Sequence, residues 1–363
     1  GNFDGSWTER AFIGLMETSD PASNIWEDKG FVVCSASDKG KTDYGRSSIN
    51  DWEGYFKINA IDPTYIITEN GEHWLIYGSW HSGIAALQVN PEDGKPLNAL
   101  GNPWDITGED NSGYGKIIAT RGTSRWQASE GPEVIYRDGY YYLFLAYGSL
   151  SVEYNTRVCR SRNIDGPYVD IHGNSAMGSA QLYPILTAPY RFDNSYGWVG
   201  ISHCGIFDDG AGNWFYTSQG RFPVNVGGNE YSNAIMMGHV RSIRWDANGW
   251  PLVMPERYGA VPQAPITENE IAGDWEHLAL TNNTGTQRTS ETMTYDLDTH
   301  KITSGSWKNA TWTFDAATQT ITTSAGVVLY LQREVDWEAS PRTHTIVYAA
   351  QGNQKTYWGK KLQ

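Results

Sequence analysis

Cysteine is scarce in this chain: Cys34, Cys159 and Cys204 are the only three among 363 residues. They are far apart, odd in number and without CxxC spacing, which excludes a disulfide framework and a zinc knuckle and leaves them as core thiols. Long hydrophobic runs are missing as well. No stretch of about 18 apolar residues occurs, so nothing in the sequence reads as a membrane-spanning helix. Positive charge is in deficit, with 27 basic against 41 acidic residues and a formal net charge of -14. Phosphate would be repelled, so nucleic acid and anionic membrane are poor partners and a neutral ligand is favoured. Gly-rich phosphate loops, a Ser-His-Asp grouping and an HExxH motif are all lacking. The opening residues Gly1–Trp7 do not have the pattern of a signal peptide.

What is abundant is glycine (39), tryptophan (16) and tyrosine (22), a turn-rich and aromatic composition that points to an all-β fold. Three hairpins organise it. In the first, Asn59-Ala60-Ile61-Asp62-Pro63 leads into Thr64-Tyr65-Ile66-Ile67, an Asn-Gly turn, and the aromatic return strand Trp74–Trp80. The second places Ser129-Glu130-Gly131-Pro132 before Glu133–Tyr136, an Asp-Gly turn and Tyr140–Ser149. The third places Ser202-His203-Cys204 before a turn at Asp208–Asn213 and the strand Trp214–Arg221.

Each hairpin is followed by two further strands, Thr156–Ser161 then Asp165–Asp170 in the second case, and Met237–Trp245 then Asn248–Val253 in the third. The anchors Asp62, Glu130 and His203 recur at intervals of 68 and 73 positions, which suits four-stranded blades. Blades around an axis make a β-propeller, and the innermost strands would bring all three anchors to one end of its channel. Residues 8–33 supply only the outer pair of a blade. The sequence therefore reads as half a blade and three whole ones, with the first part of the propeller expected from a preceding or separate polypeptide. Beyond Pro255–Pro262 the composition shifts to short Thr-rich strands. This divides the chain into a partial propeller at residues 1–263 and a small antiparallel barrel or sandwich at residues 264–363.

Two carboxylates facing one another across a groove are the minimum equipment for cleaving a glycosidic bond. Asp62 and Glu130 form the natural pair. Asp-Pro and Glu-Gly-Pro are ordinary turn spellings in isolation, and it is their shared address on successive repeats that singles them out. Trp80 offers a flat face for a sugar ring or for the core. His203 is a channel-mouth imidazole that would hold a hard cation such as calcium only with water completing the shell.

The segments Asn59–Pro63, Tyr77–Ile84, Ser129–Pro132, Ser202–Cys204, His239–Trp245 with Gly249–Pro251, Arg333–Glu338 and Trp358–Lys361 together resemble the family-43 glycoside hydrolases, and within them the two-domain arabinanases. The resemblance implies a five-bladed propeller and hydrolysis of α-1,5-linked L-arabinan with inversion. It implies Glu130 as general acid, Asp62 as the third carboxylate that orients it, and His203 as ligand of a mostly water-coordinated calcium. Asn59, Ser79, Trp80 and Arg221 are expected sugar contacts. The family's general base is an Asp of the first blade, which would precede Gly1; neither Asp4 nor Asp20 has its context. A catalytically inactive carbohydrate-binding remnant, or a family-43 xylosidase or arabinofuranosidase, fits the same pattern. A plant-wall polysaccharide as substrate implies a secreted or periplasmic protein, and the missing blades imply an N-terminal fragment as partner.

Overall fold

The computed structural model describes residues 11–37, 56–81, 83–100, 112–122, 129–192 and 195–362. Gly1–Trp7, with Asp4, and Ser82 of the motifs above lie outside them. The described chain is strands joined by turns and single 3-10 turns. It divides into two compact units, residues 1–146 with 159–182 and residues 147–158 with 183–363.

In the first unit β1 (Phe12–Glu17) and β2 (Glu27–Cys34) form the isolated antiparallel pair anticipated from the sequence, followed by the short pair β3 (Ala36–Ser37) and β4 (Phe56–Ile58). Strands β5 (Thr64–Ile67), β6 (His73–Tyr77), β7 (Ile84–Val89) and β8 (Lys116–Ala119) make a four-stranded meander. Its first turn closes because Thr68 N–H donates to Glu72 O at 2.8 Å and Gly71 adopts φ 77, a conformation natural to glycine. Alternation sorts the faces. Leu75, Tyr77, Ala85, Leu87 and Val89 point into a core with Val33, Ile58 and Tyr114. Strands β9 (Ser129–Arg137) and β10 (Tyr140–Tyr147) form the second hairpin across Asp138 and Gly139, whose φ values of 50 and 82 are those of a tight hairpin turn.

Strand β11 (Asn155–Ser161) enters the second unit at its start, where Thr156 lies opposite Thr187 and Arg157 opposite Ile185 of β12 (Ile185–Thr187). The expected strand at Asp165–Asp170 is reduced to a single antiparallel bridge, Val169 with Arg160 of β11. The buried Asp170 carboxylate instead accepts from His172 N–H and Asn174 N–H, each at 2.9 Å, and winds the segment into a turn. After β13 (Tyr190–Arg191) the third hairpin opens a complete meander of β14 (Gly205–Asp208), β15 (Trp214–Arg221), β16 (Met236–Trp245) and β17 (Pro251–Val253).

The remaining strands are β18 (Gly273–Leu280), β19 (Arg288–Thr289), β20 (Glu291–Asp296), β21 (Lys301–Ile302), β22 (Trp312–Asp315), β23 (Thr320–Thr323), β24 (Val328–Asp336), β25 (Thr343–Gly352) and β26 (Lys355–Lys361). All but β19 form one sheet in the order β21-β20-β18-β26-β25-β24-β23-β22. A bridge between Lys301 and Thr311 nearly closes it into a barrel. Trp275, Met293, Tyr295, Trp312, Leu329 and Tyr348 fill the interior, leaving it a packed core.

The outer face of this barrel meets the last meander within the same unit. Leu278, Leu280, Val347, Ala349 and Trp358 pack on Tyr190, Trp198, Leu252 and Met254, and Trp358 Nε1 donates to Val253 O at 2.8 Å. Beside this apolar half stands a charged one. Lys360, buried, lies 3.2 Å from Glu256, 3.5 Å from Glu276, 2.9 Å from Asp336 and 2.7 Å from Glu338. Burial and the neighbouring Glu338 carboxylate push Glu256 well above the ordinary glutamate range, so it keeps a proton. Burial also opposes ionisation of Glu338, but the hydrogen bond with Glu256 and the Lys360 ammonium outweigh it and hold Glu338 below that range. The positive charges of Arg241 and Arg257 also act on this pair.

Candidate active site

The first unit gathers five of the seven residues singled out in the sequence. Asn59, Asp62, Ser79, Trp80 and Glu130 all lie where β4, β6 and β9 end or begin. Ser79, buried, follows β6, and its hydroxyl donates to Glu130 Oε2 at 2.8 Å. Trp80 N–H donates to Ser129 O at 2.9 Å, locking the end of β6 to the strand that carries Glu130. Asp62 Oδ2 accepts from Gly131 N–H at 3.3 Å, so its carboxylate rests against the peptide that follows Glu130. Asn59 Nδ2 donates to Ser79 O at 3.2 Å, and its Oδ1 accepts from Ser35 Oγ at 3.3 Å.

Ser35 went unnoticed in the sequence. It is fully buried, its hydroxyl also accepts from Ala60 N–H at 3.0 Å, and it ties β2 to the segment carrying Asn59 and Asp62. No motif marks it, because its partners are 24 and 25 positions away.

The backbone here is strained in a consistent way. Asp62 has φ 55 and Trp80 φ 61, left-handed values that cost non-glycine residues on the order of 1 kcal/mol or more and tend to gather at functional sites. Gly131 at φ 56 and His203 at φ 58 share the positive φ of Asp62; Asp62 and His203 stand two residues before β5 and β14, and Gly131 is the third residue of β9. Backbone conformation thus equates Asp62 with Gly131 and His203, at intervals of 69 and 72 positions. Glu130 sits one residue ahead of the equivalent position.

His203 and Arg221 belong to the second unit. The exposed His203 ring takes a hydrogen bond at Nδ1 with Tyr154 OH at 3.1 Å. A metal would have to take Nε2, and a hard cation would draw its other ligands from water, since His203 is in no group of three or more His, Cys, Asp or Glu ligand atoms among the described residues. Arg221 closes β15, pairing with Val199, and its Nη1 donates to Asn233 O at 2.9 Å, which steadies the connection to β16. The three cysteines are buried thiols outside any disulfide, as expected of the core.

Chemically, the first unit presents one carboxyl gripped by a serine hydroxyl, with a second carboxylate braced against the adjoining peptide. This arrangement can deliver a proton from Glu130 to a leaving oxygen.

Comparison with known proteins accords with that chemistry. Residues 16–251 match the profile described as glycosyl hydrolases family 43, and residues 255–359 match a C-terminal lipocalin-like domain of that family. An extracellular endo-alpha-(1->5)-L-arabinanase of Bacillus subtilis is 30% identical over 240 residues, which cover 60% of this chain and 46% of the relative. An extracellular exo-alpha-(1->5)-L-arabinofuranosidase of Cellvibrio japonicus is 26% identical over 257 residues, covering 69% of this chain and 63% of the relative. The chain thus spans about half the length of the curated relatives it matches. Among solved structures, the endo-1,5-alpha-L-arabinanase of Thermotoga petrophila superposes with a TM-score of 0.77 at 25% identity, over 97% of this chain and 78% of that one. A family-43 glycoside hydrolase from Bacillus licheniformis gives 0.76 at 24% identity over 96% and 77%, which speaks to fold. These neighbours bear out an all-β propeller-type fold with a C-terminal barrel-like domain. By its sequence profile, which spans well over half of its length, the chain belongs to glycosyl hydrolases family 43.

Proposed function

We propose that this chain carries the acid-bearing part of a hydrolase that cleaves α-1,5-linked L-arabinan or its oligosaccharides with inversion. The observation that carries the reading is the grip of Ser79 and Asp62 on the Glu130 segment: a hydroxyl on Glu130 Oε2 and a carboxylate on the Gly131 N–H. Glu130 protonates the glycosidic oxygen as the bond to the anomeric carbon breaks, and water attacks from the opposite face of the ring. The carboxylate that deprotonates this water is assigned to no residue of this chain. Trp80 serves as a sugar platform beside Asn59 while Ser79 holds Glu130; Arg221 is a sugar contact carried by the second unit. The arabinanase names of the relatives support arabinan over other neutral polysaccharides. Their being named extracellular supports export. No helix among the described residues is long and apolar enough to cross a membrane. His203 holds a calcium ion that is mostly water-coordinated, and no chemical step is routed through it.

Reducing-sugar release from linear arabinan, with xylan and aryl glycosides side by side, tests the assignment. Mass spectrometry of the active preparation identifies any second polypeptide. Glu130→Gln is expected to lower turnover roughly 10²–10⁴-fold, the usual worth of one acid or base group, while oligosaccharide binding persists. Unchanged turnover in that variant would reject Glu130 as the acid. Binding without any release by the wild-type protein would favour the inactive remnant instead.

A further inference from the structure

The geometry points to a second carbohydrate site in the first unit, remote from Glu130, that holds a neutral stretch of the same polysaccharide; this rests on the arabinan reading above. Between strands β6, β7 and β8 and the Asp165 segment lies a cavity of about 320 Å³ that none of the candidate active-site residues lines. That volume falls at the low end for small-ligand sites and accommodates roughly one or two sugar rings.

The sheet register builds its wall. Trp74 on β6 lies opposite Gln88 on β7, and Ala86 on β7 lies opposite Lys116 on β8. Cross-strand partners project from the same face, so indole, amide and ammonium share one side of the sheet while Leu75 and Tyr77 fill the core on the other. The half-exposed indole is held by its edge. Trp74 Nε1 donates to Glu72 Oε2 at 3.4 Å, and Gln88 Nε2 donates to the other oxygen of the same carboxylate at 3.5 Å. Anchored in this way, the ring offers a face of fixed orientation.

The other wall is polar. Lys116 Nζ donates to Asp165 Oδ2 at 3.0 Å, and Asn98 adds an exposed amide. Gly115, whose Cβ would come 2.4 Å from Ala86 O, lets this wall lie directly on β7. An apolar plate with amide, carboxylate and ammonium groups around it is the complement of a sugar ring, which has C–H faces and a rim of hydroxyls. The net charge of -14 disfavours an acidic polysaccharide in its place. Trp74 lies near the start of β6 and Ser79 beyond its end, with three strand residues of about 3.3 Å each, roughly 10 Å, between Trp74 and Tyr77 alone, so the site is separate from the Glu130 network.

The test uses the whole chain together with any second polypeptide found in the active preparation. Wild type, Trp74→Ala, Trp74→Phe and Gln88→Ala are run by affinity electrophoresis in gels containing linear arabinan, and the same proteins are assayed for cleavage of arabinotriose. Fluorotryptophan-labelled protein is titrated with arabinotriose, following the resonance that Trp74→Phe removes. Retention is expected to weaken about fivefold in Trp74→Ala and less in Trp74→Phe, with arabinotriose cleavage unchanged and the Trp74 resonance shifting. Cleavage together with equal retention of wild type and Trp74→Ala, and a stationary resonance, would overturn this inference and leave the hydrolase reading standing. Trp74-dependent retention without cleavage would support the site and reject the hydrolase. Neither retention nor cleavage would reject both.

Discussion

Replacing Lys360 by methionine should show how the barrel and the last meander of the second unit are held together. Lys360 Nζ has four carboxylates between 2.7 and 3.5 Å, and the side chain is only 2% exposed. Glu256 keeps its proton, so Glu276, Asp336 and Glu338 are the charged partners that would be left without their ammonium. At an effective dielectric of about 20 a unit pair near 3 Å attracts by roughly 5 kcal/mol, most of which is offset by desolvation in the intact cluster. In the variant the desolvated carboxylates remain and the attraction does not. Breaking a buried ion pair in this manner costs roughly 3–5 kcal/mol. For a cooperative unit of about 200 residues that is a fall in Tm of roughly 6–20 °C at pH 7.

The pH dependence has a definite sign. In the wild-type protein Glu338 is held below its ordinary range, so its stabilisation is present above the unfolded glutamate value of about 4.3 and is lost as pH falls through the folded value. Without Lys360 the same carboxyl binds its proton more tightly when folded, and the variant is relatively better off in acid. The gap in Tm should therefore be widest near neutrality and narrow towards pH 4. Scanning fluorimetry of both proteins from pH 4 to 8 reads it. A gap under about 2 °C at pH 7, or one that does not change with pH, would refute the account.

Within the same cluster, Glu256→Gln should cost under about 1 kcal/mol because the native carboxyl is already neutral, whereas Glu338→Gln removes a charged partner of Lys360 and should cost roughly 1.5–3 kcal/mol. Equal Tm losses in the two variants would contradict that proton assignment. Ser79→Ala deletes the hydroxyl on Glu130, and loss of a hydrogen bond of this type predicts a roughly tenfold or larger drop in kcat with KM little changed; Ser79→Thr should recover part of it. A fall in binding alone would make Ser79 a sugar contact and not a positioning residue. Calcium at about a hundred times its Kd should stabilise the wild-type protein by about 2.7 kcal/mol, and His203→Ala should abolish the rise in Tm. A rise that survives the substitution would place the ion elsewhere.

The sequence by itself determined the strands and their pairing into hairpins, because period-two alternation and turn chemistry are local: Asn70-Gly71, Asp138-Gly139 and Asp209 each close a turn from within a few residues. It also singled out Asp62, Glu130 and His203 as candidates, since a repeated address is visible without coordinates. Only the tertiary structure decided the rest, and for one physical reason, that contacts between distant segments leave no periodic trace. The positive φ that Asp62 shares with His203 falls in the second hairpin on Gly131, one residue past Glu130, an offset that composition cannot register. Asp170 spends its carboxylate on a turn, so the expected strand shrinks to the Val169–Arg160 bridge and the start of β11 pairs with Ile185–Thr187. Ser35 reaches Asn59 across 24 positions, and Lys360 collects carboxylates from Glu256 to Glu338 because β26 lies between β18 and β25. Trp74 reads as one more aromatic of a return strand until the register sets it opposite Gln88 and beside Lys116.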